Sequence, residues 1–267
     1  MTESQGYVDL HLHLLPNVDD GPRSMEDAVD MARVLVDDGV AAATVTPHFN
    51  EWNPDLLPNV DALTEQIDSL RQSLDSEQVP LQLLTGAEHF LTPELLHKLK
   101  LGEAPTLAGG PYILVELPFG DKPIYADELL HQLGLSEVMP VLAHPERYRW
   151  VQQDPDSIRP LRERGVLLQL TAASMLGHYG PGIRKTAERL LLHGDYHLVG
   201  SDRHRARQSR SLSELEAAVA PLIGSDATDV LFRQNPRRVL RGEPLLPVLE
   251  EPIQPPKKTL LSFLGRS

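Results

Sequence analysis

The chain contains no cysteine. That absence excludes disulfides, a thiolate nucleophile and thiolate metal ligands. Any hydrolysis must run without sulfur, and any metal must be held by imidazole and carboxylate, a donor set that suits zinc, manganese or iron. Positive charge is scarce: 25 Lys and Arg stand against 38 Asp and Glu, for a formal net charge of −13. Nucleic acid or an anionic membrane surface needs a basic footprint, so neither is expected as the main partner. A small phosphorylated substrate meets only local charge and stays open. Long hydrophobic runs are also missing. No stretch can span a bilayer, and the N-terminus lacks the basic segment and apolar core of a signal peptide. The expectation is a cytoplasmic protein that is not integral to a membrane.

What is present is an alternation of short apolar runs and helical periodicity. With 267 residues, 41% of them hydrophobic, the chain can bury a full core as one domain. Ser24 is a predicted N-cap with Asp27 in the capping-box position. Met25, Ala28, Val29, Ala32, Leu35 and Val36 follow at helical spacing, and Gly39 ends the run. Strands are predicted over 40–45, 81–85, 112–116, 140–143, 166–170 and 197–200, beside the opening run at Tyr7. Further helices are predicted from Asn59, from Pro93, over 126–133, 158–164, 183–192, 212–222 and 227–232, and from Asn235. Strand and helix thus alternate about seven times, the pattern of βα units and a parallel sheet. The expected fold class is α/β: a distorted parallel β/α barrel, TIM-like, of about seven strands. It would occupy residues 1–243. A Pro-rich, partly basic tail over 244–267 carries Lys257 and Lys258; it reads as a loose extension or as a short docking segment.

Reactive residues of such barrels sit at the C-terminal ends of the strands. In Tyr7-Val8-Asp9-Leu10-His11-Leu12-His13, two imidazoles two residues apart on a strand share one face. The pattern recurs. Nine residues stand at or just after strand ends: His11, His13, Asp20, His48, Glu88, Glu116, His144, Asp202 and His204. Each has a structural alternative alone. Asp20 could be a turn former, Glu88 and Glu116 could cap helices or pair with cations, and the rest could be loop residues. Nine at matching positions are hard to obtain that way. Five imidazoles and four carboxylates are too many for one ion and suit two or three divalent metals, manganese first, with iron or zinc as alternatives.

The motifs DLHLHLLPNVDDG, TPHF, GAEHF, ILVELP, LAHPERY and SDRH occur in that order from Tyr7 to His204, with a weaker NPRRVL later. They resemble the polymerase-and-histidinol-phosphatase (PHP) superfamily, and within it the bacterial tyrosine-protein phosphatases encoded with capsule and exopolysaccharide genes. The resemblance implies the PHP fold, up to three metal ions held by the nine residues, with Asp20 the matching acid of its pair, and hydrolysis of phosphotyrosine on the tail of a tyrosine autokinase. A hydroxide bridging the ions would attack phosphorus in line. Arg147 matches a family arginine that holds phosphate, a task suited to bidentate guanidinium. A second family arginine lies in a Pro-Pro loop that this chain lacks. Here Arg203, Arg205, Arg207 and Arg210 follow the last motif, and Arg207 or Arg210 is expected in that role. Tyr148, Phe49 and Trp52 either line a pocket for the aromatic ring or pack loops. A small-molecule phosphatase such as one for histidinol phosphate, and a catalytically silent scaffold, are the alternatives. A homo-oligomer stays open.

Overall fold

The computed structural model describes residues 6–49, 55, 59–208 and 211–253. Trp52, Arg210 and the tail beyond Ile253, with its two lysines, lie outside them. Eight strands rather than about seven are present among the described residues, in two parallel sheets. β1 (Tyr7–Leu12), β2 (Val40–Val45) and β3 (Gln82–Thr85) form the first; β4 (Glu88–Phe90), β5 (Tyr112–Glu116), β6 (Met139–Ala143), β7 (Leu167–Thr171) and β8 (Leu198–Gly200) form the second, each in chain order. Single bridges join the sheets at both seams, Leu12 to Arg203 and His48 to Glu88.

The extra strand is β4, which the apolar pattern had merged into the end of β3. Gly86 separates them. Its amide still donates to Val45 O at 3.1 Å, and Glu88 N then steps on to Pro47 O at 3.1 Å. A Cβ at Gly86 would stand 2.5 Å from the Thr44 methyl, so the crossing needs glycine.

Helices follow the strands: α1 (Met25–Asp37), α2 (Val60–Ser76), α3 (Pro93–Lys100), α4 (Ala126–Leu135), α5 (Arg149–Gln153), α6 (Arg159–Glu163), α7 (Ala172–Met175), α8 (Pro181–His193), α9 (Leu212–Ile223), α10 (Ser225–Asp229) and α11 (Asn235–Arg241). Caps fix the long ones. Ser24 Oγ accepts from Asp27 N at 3.1 Å, and Asn59 Oδ1 accepts from Ala62 N at 2.9 Å. The short α5 and α7 carry too few residues to show a helical period, and the sequence pattern misses them.

Side chains alternate along the strands between two cores. Ile113, Val115, Leu142, Leu168 and Val199 join the large cluster packed under the helices. Tyr112, Leu114, Val141, Ala143 and Leu198 join a smaller one on the opposite face, with Leu107 and Val239. β1 is irregular. Val8 and Leu10 belong to the smaller cluster, yet Leu12 belongs to the larger. Between Asp9 and Leu12 the register shifts: three steps of β1 run against two of β2, from Ala43 to Val45. The extra residue reverses which side chains face which core.

The described part of the Pro-rich tail lies against this body. Asn235, fully buried, donates to Leu246 O and His197 O, both at 2.9 Å, and accepts from Leu246 N at 2.8 Å. Ile253 N donates to Leu192 O at 2.7 Å. Among the described residues no helix is long and apolar enough to cross a membrane.

Candidate metal centre

The β1 shift is where the site begins. The Asp9 carboxylate, fully buried, accepts from His11 N at 3.2 Å and from Ser201 N at 3.1 Å. It thus satisfies an amide near the shift and ties β1 to the end of β8. Asp202 N donates to His11 O at 2.8 Å, and His13 N to Arg203 O at 2.9 Å. His11 and His13 then share one side, as the spacing predicts, and Gly200 leaves room for them: a Cβ there would meet His11 Cβ at 2.8 Å.

All nine residues singled out in the sequence converge. Three overlapping groups have donor atoms within 4.8 Å of one another: His13, Asp20, His48 and His204; His11, His13 and Asp202; His48, Glu88 and Glu116. His144 joins through Nε2, 3.2 Å from Glu88 and 3.5 Å from Glu116. Glu88 is the hub. Its two oxygens also lie 3.4 Å from His11 Nε2, 3.4 Å from His13 Nε2 and 3.3 Å from His48 Nδ1. Asp202 Oδ1 lies 3.6 Å from His11 Nε2 and 3.7 Å from His13 Nε2. Asp20 reaches His204 Nε2 at 3.1 Å. Two donors each about 2.0–2.2 Å from one ion stand roughly 3.0–3.5 Å apart, so much of this spacing is what shared cations impose.

Outer partners aim these groups. The Asp19 carboxylate accepts from His13 Nδ1 at 2.7 Å, and Gln169 Oε1 accepts from His11 Nδ1 at 2.7 Å. Asp202 O accepts from His204 Nδ1 at 2.9 Å. Each bond places a proton on Nδ1 and turns Nε2 inward, so that the neutral ring would offer its Nε2 lone pair to an ion, the arrangement metal-binding histidines adopt. The Nε2 atoms of His11 and His13 are buried without a hydrogen-bond partner. Such orphans are rare in folded proteins and fit a bound cation. His144 and Asp202 adopt left-handed backbone, φ 36° and 50°. For non-glycine residues that costs on the order of 1 kcal/mol each, strain held here at two of the converging residues.

Electrostatics agree. Burial raises the Glu88 carboxyl, but the His11, His13 and His144 imidazoles outweigh it and hold the group well below the usual range. Burial, then the Glu88 charge beside it, push Glu116 up to about 8. Burial also raises Asp20, yet His204 brings it down to about 2. Burial and the Arg147 charge lower His144 to about 4. Glu116 held protonated beside ionised neighbours is a site short of positive charge.

The cluster floors a cavity of about 440 Å³. Arg147 stands on its wall. Its Nη1 donates to Asp202 Oδ2 at 3.0 Å, and its Cζ lies 4.4 Å from the Phe119 ring and 4.6 Å from the Tyr179 ring. The 145–147 turn carrying it is pinned by buried Glu146, which accepts from Thr171 N at 3.2 Å and Tyr196 OH at 2.9 Å.

The expected second arginine is placed differently. Arg207 is exposed and lines a separate recess with Asp27 and Asp30, and Arg210 lies outside the described residues. Arg205 lines the site cavity instead and donates to Gly21 O. The cause is buried Arg203, whose Nη1 donates to Ala206 O at 3.0 Å and Gln208 O at 2.6 Å and curls the loop. Tyr148 and Phe49 are buried and pack loops; Tyr148 OH donates to Ala143 O at 2.8 Å. Gln169, Phe119 and Tyr179 escaped sequence reasoning, and Asp19 and Arg205 were passed over for Asp20 and for Arg207 or Arg210. Asp19 stood in the Asp-Asp-Gly motif and Gln169 was a polar residue inside the apolar run 167–170.

The chain matches the family model for capsular polysaccharide synthesis proteins, CpsB/CapC, over residues 7–241. It is 32% identical over 256 residues to the tyrosine-protein phosphatase YwqE of Bacillus subtilis, covering 95% of this chain and 98% of that one. It is 26% identical over 246 residues to the tyrosine-protein phosphatase CpsB of Streptococcus pneumoniae, covering 88% and 99%. A crystal structure from work on YwqE and CpsB, described as metal-dependent tyrosine phosphatases, superposes with a TM-score of 0.86 at 31% identity, over 93% of this chain and all of that chain. A phosphotriesterase homology protein from Escherichia coli shares the fold alone, with a TM-score of 0.54 at 13% identity over 89% and 99% of the two chains. With the family model spanning nearly the whole described chain, this protein belongs to the CpsB/CapC family of capsular polysaccharide synthesis proteins.

Proposed function

We propose that the chain is a metal-dependent protein-tyrosine phosphatase acting on a phosphotyrosine protein, the tail of a bacterial tyrosine kinase, in the control of capsule or exopolysaccharide synthesis. One observation carries this reading: nine imidazoles and carboxylates, spaced for shared cations, gather beneath a cavity that seven of them line, with an arginine on its wall. The relatives' names support it over a histidinol-phosphate or scaffold role. The nine residues would hold two or three divalent ions, manganese in the first instance. When bound, such ions supply Lewis acidity and an ionised water nucleophile. The chain's own part is positioning. Asp19, Gln169 and the Asp202 carbonyl keep His13, His11 and His204 in the metal-binding tautomer. Arg147 offers N–H donors to phosphoryl oxygens as charge develops on them. Phenolate, with a parent pKa near ~10, departs with little help.

We place the catalytic body in 1–243 as a distorted barrel, its two sheets joined at both seams, with 244–267 as an appended tail, in a cytoplasmic setting. The test is turnover of phosphotyrosine peptide, phosphoserine peptide and histidinol phosphate by protein stripped of metal and then given manganese. Manganese-dependent turnover favouring phosphotyrosine supports the reading. Preference for histidinol phosphate moves the function to metabolism, and a folded protein inert on all three leaves the scaffold.

A further inference from the structure

The cavity has two unlike parts. Its floor is charged. Its wall carries two aromatic rings, Phe119 from the loop after β5 and Tyr179 from the loop after α7. The chain has few aromatics, five Phe and six Tyr, and two of them close on the same guanidinium, within 4.4 and 4.6 Å of Arg147 Cζ.

Phe119 packs on the Arg147 guanidinium yet stays partly open to the cavity. It is 44% exposed, whereas Tyr148, whose ring centroid is 6.1 Å away, is buried. Its backbone is fixed, because Phe119 O accepts from Arg149 N at 2.8 Å, just beyond the turn that carries Arg147. Its ring also lies 5.5 Å from the His144 ring, next to the charged floor. A partly exposed ring on an anchored backbone beside Arg147 offers apolar surface to an incoming group.

We propose that Phe119 selects aryl over alkyl phosphomonoesters by stacking the ester's ring, while Tyr179 holds Arg147 from its other side and weakens both classes equally when removed. The inference rests on the phosphatase reading of the site and names the residue that sets its preference for an aromatic ester. A phosphoryl group seated on the floor against Arg147 directs its ester oxygen outward. An aromatic ester then has a ring at the height of the wall, where it replaces water on the Phe119 face. An alkyl ester has nothing there to stack. The rings have a second effect: a planar cation between two aromatic faces cannot swing, so the Arg147 N–H edge stays turned to the phosphoryl group. That effect acts on aryl and alkyl esters alike, and the ratio of the two isolates the stacking.

The experiment measures binding of phenylphosphonate and methylphosphonate, which are not hydrolysed, by calorimetry on the manganese-loaded full chain. Wild type is compared with Phe119→Ala, Phe119→Leu and Tyr179→Ala, with turnover of phosphotyrosine and phosphoserine peptides followed in parallel. Wild type is expected to prefer the aryl probe, and Phe119→Ala to lose about tenfold of that preference, as expected for one aromatic stack. Phe119→Leu, apolar but not flat, should lose most of it. An aryl-to-alkyl ratio that Phe119→Ala leaves unchanged, or a wild type without preference, overturns the inference. Absence of turnover in a wild type that still prefers the aryl probe would sink the phosphatase reading and leave the selectivity standing.

Discussion

The two halves of the same strands are built for opposite purposes. Toward their N-terminal ends Val8, Leu10, Tyr112, Leu114 and Leu198 fill one side with apolar groups that are at most 6% exposed. A few residues on, that side carries His11, Glu116 and the residues gathered around Glu88. The lower half is satisfied by exclusion of water alone. The upper half is satisfied only in part: Gln169 and Asp19 turn the Nε2 atoms of His11 and His13 inward, where they are buried without a hydrogen-bond partner. The lesson is that one pleated scaffold supports both, because a buried charged layer needs fixed second partners more than it needs a different fold.

The comparison breaks most sharply at the floor. His11→Ala or Asp202→Ala should cut phosphotyrosine hydrolysis per folded molecule by about a thousandfold or more, since each removes a group that would meet a cation, and Asp202→Ala should also lower the thermal midpoint by unpairing partly buried Arg147. Steady-state assays beside calorimetry would show it. The lower half should answer in reverse. Leu114→Ala should cost about 2–5 kcal/mol of stability by leaving a cavity, read by denaturant unfolding, with turnover per folded molecule retained. Between the two stands the outer layer. Asp19→Asn should weaken metal affinity roughly 10–100-fold, because the amide no longer holds His13 in its tautomer; competition with a chelator would measure it.

The smallest effect sharpens the boundary from the far end. Burial, then the Arg162 charge, lower His197 to about 4, and its Nδ1 accepts from Leu168 N at 3.1 Å. It stays neutral in the fold, while the unfolded chain takes up a proton near pH 6.5. Its contribution is therefore whole above pH 6.5 and lost as the pH falls toward 4. His197→Gln should reduce the stability lost between pH 7 and pH 5 by about 2 kcal/mol, without touching metal affinity. A change in metal affinity would show that the two halves are coupled.

The nine convergent residues were legible because they combine a chemical type with a position, the end of a run, that survives errors of one or two residues in strand limits. The long helices were legible for the same reason: Ser24 and Asn59 are caps by residue type. What was hidden depends on chain paths that no period encodes. β4 arises from a crossing at Gly86. Arg205 comes to the cavity because Arg203 curls its loop, a choice among four arginines in eight positions that spacing cannot make. Phe119 and Tyr179 arrive on loops, and of the two roles the sequence left open for Tyr148 and Phe49, both take loop packing.

The extra residue between Asp9 and Leu12 carries a lesson for protein engineering. One inserted amino acid reverses the facing of everything after it and nothing before it. A builder who wants a reactive rim on an inert apolar tube therefore need not repack the tube. A single insertion, with a carboxylate such as Asp9 to satisfy the freed amide, divides a strand into two independently editable parts.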